Sequence, residues 1–193
     1  ISFSYLPAVA AVGSVVHVVW SDARENNFEI YYKRSPDGGL HWEPDRRLTN
    51  TTAPSTLPSV SVQGSGVHVV WQEYLSSGNR EIFYKRSMDE GISWGDDVRL
   101  TNDPSFSSEP SIATLDRGVH VVWSDYRDGN QEIYYKRSRD DGSTWGPDTR
   151  LTNCTGFSTN PSVAVTGKAV HVVWMDYRDG NNEIYYKRDP TGN

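Results

Sequence analysis

Cysteine is nearly missing from this sequence: Cys154 is the only one, so no disulfide forms within the chain. It lies in a polar stretch, Thr152-Asn153-Cys154-Thr155-Gly156, without metal-ligand spacing or a unique His partner, and reads as an incidental free thiol. Methionine is scarce as well, with two copies against seven Trp and eleven Tyr. That excess of aromatic residues and Val over good helix formers favours strands. Long apolar runs are absent, the longest being short stretches such as residues 67–71, so no membrane insertion is expected. Positive charge is in deficit, the net charge being −6, which argues against a nucleic-acid partner or an anionic lipid surface. An initiating Met and a signal peptide are lacking too; the opening on Ile1 reads as a processed product or an excised fragment.

What the sequence has in abundance is repetition. His-Val-Val-Trp starts at His17, His68, His120 and His171, at intervals of 51, 52 and 51 residues. An aromatic-Tyr-Lys-Arg tetrad follows at Tyr31, Phe83, Tyr134 and Tyr185, and Arg-Leu-Thr-Asn closes three modules at Arg47, Arg99 and Arg150. Between them stands Ser-x-Asp-x-Gly-x-x-Trp in three complete copies: Ser35, Asp37, Gly39, Trp42; Ser87, Asp89, Gly91, Trp94; and Ser138, Asp140, Gly142, Trp145. In such a loop the Ser and Asp oxygens hold backbone N–H groups, Gly supplies a left-handed turn, and Trp anchors the far end in apolar packing.

Each module predicts four short antiparallel strands, exemplified by residues 161–165, 170–174, 183–188 and, from the third module, 148–152. Near-continuous Val ending in an aromatic suits a strand buried on both faces, and Asp179-Gly180-Asn181 is a hairpin signal. Four strands per repeat of about 51 residues, apolar on both sheet faces, give an all-β chain, a β-propeller of four-stranded blades. The blades are expected at about 5–50, 56–102, 108–153 and 159–193. The fourth ends in Asp189-Pro190-Thr191-Gly192-Asn193, with Thr191 where the loop Asp belongs, so it lacks its outer strand. The expected outcomes are a small four-bladed ring, a homodimer completing a larger ring, or part of a longer polypeptide. An open arc is disfavoured because it would expose apolar faces and an unpaired edge.

The three Ser-x-Asp-x-Gly-x-x-Trp loops resemble the Asp box, or bacterial neuraminidase repeat, of the sialidase-like β-propeller superfamily, and the resemblance extends through the repeat over nearly the whole chain. It implies that the loop joins a blade's third and fourth strands, on the side remote from the active site, in enzymes and non-enzymes alike. Sialidase activity does not carry over with it. The family's Arg-Ile-Pro motif is absent here, and its arginine triad, Tyr nucleophile with Glu, and acid/base Asp sit on non-equivalent blades, whereas these modules are nearly uniform. Glycoside hydrolysis needs groups in distinct environments so that their roles differ.

The richest chemistry stands in the loops between second and third strands. Asp22, Arg24, Asp125, Tyr126, Arg127, Asp176, Tyr177 and Arg178 are the candidate ligand-binding residues, since Tyr offers a stacking face and Arg and Asp offer bidentate polar contacts to sugars. The simpler reading, that Asp and Arg pair within the loop or across to the adjacent blade, is the favoured one because the pattern recurs. The second module breaks the series with Leu75-Ser76-Ser77-Gly78-Asn79. Asp125, Asp128, Asn130 and Glu132 have oxygens for calcium, but the hairpin turn explains them without an ion, and no metal or other cofactor is expected. The four repeated His residues fit core hydrogen-bonding positions, and His41 a solvated one. Glu132 and Tyr134 share a strand face, which leaves a Tyr/Glu pair as a further candidate. The expected function is a non-catalytic binding or scaffold module, secreted or at the cell surface, meeting carbohydrate or protein. The alternative is a fragment of a sialidase-like glycoside hydrolase whose catalytic residues lie elsewhere.

Overall fold

A computed structural model describes residues 3–189, and every helix or strand in it is a strand. The end of the fourth module, residues 190–193, lies outside the described residues. Four antiparallel sheets follow one another along the chain. The first contains β1 (Ser4–Val12), β2 (Val15–Asp22), β3 (Glu29–Ser35) and β4 (Arg46–Arg47). The second contains β5 (Ser55–Gln63), β6 (Gly66–Tyr74), β7 (Arg80–Ser87) and β8 (Val98–Arg99). The third contains β9 (Ser107–Leu115), β10 (Gly118–Asp125), β11 (Glu132–Ser138) and β12 (Thr149–Arg150). The fourth has three described strands, β13 (Ser158–Thr166), β14 (Ala169–Asp176) and β15 (Glu183–Asp189).

Two strand boundaries differ from expectation. The first strand of a sheet begins before its proline, as β13 does at Ser158 rather than at Pro161. The chain passes the proline through a register shift, with the preceding residue in the left-handed region: Leu6 (φ 55), Leu57 (φ 56), Glu109 (φ 56) and Asn160 (φ 52). Pro lacks the N–H that regular pairing would use, and the bulge accommodates it. The outer strand is shorter than expected, two residues rather than residues 148–152, because it pairs only at positions such as Tyr134↔Arg150 and Tyr135↔Thr149.

The outer segment is held chiefly by side chains. Glu29, Glu81 and Glu132 are fully buried, and each receives the Arg and the Thr of Arg-Leu-Thr-Asn. Arg47, Arg99 and Arg150 donate to them over 2.7, 2.7 and 2.9 Å. Thr49, Thr101 and Thr152 donate their hydroxyls to the same carboxylates and accept the N–H of Ile30, Ile82 and Ile133. Removing the Arg or the Thr would leave a buried carboxylate uncompensated, which is destabilising.

The core lies between sheets. Val19, Ile30 and Tyr32 of the first sheet pack on Val60, Val69 and Trp71 of the second. Val70, Ile82 and Tyr84 of the second pack on Ile112, Val121 and Trp123 of the third. Val122, Ile133 and Tyr135 of the third pack on Val163, Val172 and Trp174 of the fourth. The innermost strands pack in the same succession, β1 on β5, β5 on β9 and β9 on β13.

Candidate functional site

The two ends of the sheets carry different chemistry. At one end stand the Ser-x-Asp-x-Gly-x-x-Trp loops. Ser138 donates to Asp140 over 2.8 Å and accepts the Gly142 N–H over 2.8 Å, while Asp140 accepts the N–H and hydroxyl of Thr144 over 2.8 and 2.6 Å. Asp37 and Asp89 accept from His41 and Ser93 in the same way. His41 is thus solvent-facing but bonded, with Nδ1 at 2.6 Å from the Asp37 carboxylate. These bonds favour the ionised carboxyl: backbone and ring N–H of His41, the hydroxyls of Ser87 and Ser93, and the Thr144 donors bring Asp37, Asp89 and Asp140 each down to about 2.

The loop also clasps the preceding sheet. Trp94 stands edge-on to Tyr32 and Trp145 to Tyr84, with ring centroids 5.0 Å apart in both pairs. Gly91 and Gly142 have positive φ, and a Cβ on either would meet the hydroxyl of that tyrosine at 1.9 or 2.0 Å. Glycine is therefore required twice over at both positions, by backbone conformation and by close approach. The carboxylates of the loop are engaged in this architecture.

At the other end stand the Asp-Tyr-Arg loops. Asp22, Asp125 and Asp176 are buried and each is bonded by the Arg two residues on: Arg24 at 2.8 Å, Arg127 at 2.7 Å and Arg178 at 2.6 Å. The Arg24 and Arg178 guanidinium bonds hold Asp22 and Asp176 far below the usual carboxylate range. Burial pushes Asp125 up, but the bonds from Arg127 and Trp123 outweigh it and its value is lowered. Arg24, Arg127 and Arg178 lie over the rings of Tyr31, Tyr134 and Tyr185, 4.3, 4.4 and 4.1 Å from the centroids. Arg24 and Arg127 also reach Asp45 and Asp148, both at 2.9 Å. Of the eight candidate ligand residues, six are thus joined in Asp–Arg pairs. Tyr126 and Tyr177 are about half exposed, and Tyr177 stacks on Phe157 with centroids 4.9 Å apart.

The other candidates resolve similarly. Tyr134 donates to Asp128 over 2.5 Å and Glu132 is held by Arg150 and Thr152, so that Tyr and Glu are not bonded to each other. Among the described residues, no group of three or more His, Cys, Asp or Glu side chains is arranged to hold a metal ion. His17, His68 and His120 are buried with Nδ1 2.7, 2.7 and 2.8 Å from the hydroxyls of Tyr32, Tyr84 and Tyr135. Burial first, and the nearby Arg34, Arg86 and Arg137 second, lower all three to about 4. Cys154 is a half-buried free thiol.

Sequence reading did not find the cleft formed where the innermost strands meet. Pro7, Pro58, Pro110 and Pro161, with the left-handed residues before them, line one hollow of about 270 Å³. A second of about 300 Å³ continues it outward, lined by Tyr5, Gln72, Tyr74, Arg80, Glu109 and Gln131 among others. Several of these depart from the repeat. Gln72 stands where the other sheets have Ser21, Ser124 and Met175, and Arg80 where they have Phe28, Gln131 and Asn182. The Arg80 guanidinium lies 4.9 Å from the Tyr74 ring centroid and 5.1 Å from that of Phe106, with no carboxylate partner among the described residues. Burial, and Tyr74 beside it, raise the Tyr5 phenol above its ordinary value, keeping it a neutral donor. Glu109, the one carboxylate among the described cleft residues, accepts from the Ser124 hydroxyl at 2.7 Å and the Asn160 N–H at 2.9 Å. The departures from the repeat were visible in the sequence; their convergence was not.

No protein-family model and no curated protein sequence matches the chain. Solved structures do. The Hadza microbial sialidase Hz136 matches with a TM-score of 0.74 at 17% identity, over 95% of this chain and 44% of its own. Trypanosoma rangeli sialidase in complex with sialic acid gives 0.66 at 18% identity, over 95% and 36%. The GH93 α-L-arabinofuranosidase of Fusarium graminearum, in complex with arabinobiose, gives 0.72 at 17% identity, over 97% and 63%. The chain therefore spans between about a third and two thirds of the length of these proteins, and what it shares with them at such identity is the fold.

Proposed function

We propose that this chain, which has the fold of the sialidase-like β-propeller superfamily, is a non-catalytic carbohydrate-binding module whose ligand enters the cleft between the innermost strands. The observation that carries the reading is the gathering of non-repeating side chains in that one place. Tyr5 and Tyr74 offer hydroxyls, Gln131 offers an amide, and Arg80, which lies over the Tyr74 ring and has no carboxylate partner among the described residues, offers guanidinium donors, a set suited to hydrogen-bonding a polyhydroxylated ring. Hydrolysis of a glycosidic bond takes two carboxyl groups about 5–9.5 Å apart, or a Tyr activated by one. The described cleft has Glu109 alone, held by Ser124 and Asn160. The Asp-Tyr-Arg pairs tie together segments of one and the same sheet, and the Ser-x-Asp-x-Gly-x-x-Trp loops, read as Asp boxes, clasp the neighbouring one. Glycan binding places the module outside the cell or at its surface.

A second reading, part of a sialidase-like glycoside hydrolase, is favoured by the named functions of the structural neighbours. One pair of measurements separates the two. On a glycan array the chain is expected to retain a set of glycans, with retention lost in Tyr74→Ala and Arg80→Ala, and to show no turnover of fluorogenic sialosides or arabinofuranosides. Turnover abolished by Glu109→Gln would establish the hydrolase instead, and an array blank for the wild-type chain would remove the carbohydrate reading.

A further inference from the structure

The side chains of the cleft supply hydrogen bonds but little free ring surface. Arg80 lies against the Tyr74 ring, and Tyr5 stands edge-on to Phe28 with centroids 4.8 Å apart. Ring surface stands instead on the rim just outside, where the repeat places it. Phe106 and Phe157 come immediately before β9 and β13, and Tyr126 and Tyr177 immediately after β10 and β14. The Phe carbonyls accept the N–H groups of Tyr126 and Tyr177 over 2.9 and 3.0 Å, which sets each Phe beside a Tyr along the backbone.

Two cleft residues join this rim to the cleft. The Arg80 guanidinium is 5.1 Å from the Phe106 ring centroid, and the Gln131 carbonyl accepts the N–H of Ser158, next to Phe157, over 2.8 Å. The rim therefore leaves the cleft at Arg80, passes Phe106 and Tyr126, and meets it again at Gln131.

Two of its rings are open, Phe106 at 45% and Tyr126 at 48% exposed. Both belong to the third sheet, which has described sheets packed on either side, so theirs is not the exposure of an outer face. At the position of Tyr126 the second sheet has Tyr74, covered by Arg80, and the fourth has Tyr177, stacked on Phe157; among the described residues no ring or cation covers Tyr126. The Phe106 side chain has no polar atom, so whatever covers it presents C–H groups and takes its hydrogen bonds elsewhere. A pyranose with equatorial hydroxyls does both, with C–H groups on its faces and hydroxyls at its edge. Glu109 in the cleft and the net charge of −6 oppose an acidic sugar.

Resting on the carbohydrate reading of the cleft, we propose that the ligand is a neutral, β-linked chain of pyranoses rather than a single terminal sugar. One unit is hydrogen-bonded in the cleft, and its neighbours lie along the rim with their faces on Phe106 and Tyr126. Equatorial linkages keep successive rings in an extended ribbon, the form that covers two side chains in line. Arg80 donates to hydroxyls where the chain leaves the cleft, and the Gln131 amide where it passes back toward it.

Cellobiose, cellotetraose and cellohexaose, titrated into the chain by calorimetry, are the probes. Affinity is expected to rise with length, cellohexaose binding at least about tenfold tighter than cellobiose, as two added ring contacts imply. Phe106→Ala and Tyr126→Ala are each expected to weaken cellohexaose binding about three- to tenfold, whereas Tyr126→Phe, which keeps the ring, is expected to retain the full gain with length. Both positions are half exposed, so an unchanged melting temperature is expected and shows that each variant is folded. Equal affinity across the series, or a gain with length that survives either alanine substitution intact, overturns the extended site. A glycan array that retains other glycans while cellohexaose fails to bind overturns it too and leaves the carbohydrate reading standing; an array blank for the wild-type chain removes both.

Discussion

Glu73 shows how one substitution within the repeat changes a carboxyl's environment. Asp22, Asp125 and Asp176 each have an Arg two residues on; after Glu73 that position is Leu75. Glu73 is buried with the Trp71 indole N–H at 3.0 Å and no cation partner among the described residues, and burial raises its pKa above the ordinary 4.5. A raised carboxyl pKa means that folding favours the protonated form. The contribution to stability is full below pH 4.5 and is lost as pH rises through the folded value. Glu73→Gln, which keeps an acceptor for Trp71, is therefore expected to stabilise the chain at pH 7. At pH 4 the gain should vanish; a gain equal at both pH values would show that ionisation is not its source. Asp140 lies in the opposite case, its ionised form held by Thr144 and Ser138. Asp140→Asn is expected to lower the melting temperature and leave glycan retention unchanged, and an unaltered melting temperature with lost retention would move that loop into the binding site.

The third strand of each sheet joins two faces and one ladder. In β3, β7 and β11 the Ile and the second Tyr enter the layer toward the following sheet, and the Tyr hydroxyl meets the His of the neighbouring strand. His17, His68 and His120 are neutral in this setting, with folded values near 4 against an ordinary 6.5. A depressed His pKa contributes stability that is present above pH 6.5 and lost as pH falls through 4. The denaturation midpoint is thus expected to fall across that window. His68→Gln is expected to make the decline shallower, whatever its effect at pH 7; an unchanged slope would mean that other groups set the acid sensitivity.

The stack of sheets leaves its two outer faces unlike its inner ones. Val9 is 66% exposed although its counterparts Val60, Ile112 and Val163 are at 6–8%. Ile184 is 75% exposed although Ile30, Ile82 and Ile133 are at 0%. Identical side chains in equivalent strands thus carry different energies. Ile82→Ala is expected to lower stability by about 2–5 kcal/mol, as a cavity in a packed core does. Ile184→Ala is expected to change it by less than about 0.5 kcal/mol. Equal losses in chemical denaturation would show that Ile184 is covered in solution, by a second copy or by another partner, and would draw the exposed face into an interface.

Strand content, the order of strands in a sheet and the place of each Ser-x-Asp-x-Gly-x-x-Trp loop were legible from spacing, since hydrophobic periodicity, turn residues and repeat length are local properties. The paired faces of β3, β7 and β11 followed from alternation alone. The bulge at each proline was not legible: the left-handed φ falls on Leu6, Leu57, Glu109 and Asn160, residue types that do not announce it. The partners of the loop Trp were hidden because Trp94 and Trp145 pack across to a different module. The cleft itself is assembled from positions such as Tyr5, Gln72, Arg80 and Glu109 that are far apart along the chain. Sequence determines what each segment is; which unlike segments come together depends on how the sheets stack, and that is a property of contacts between modules.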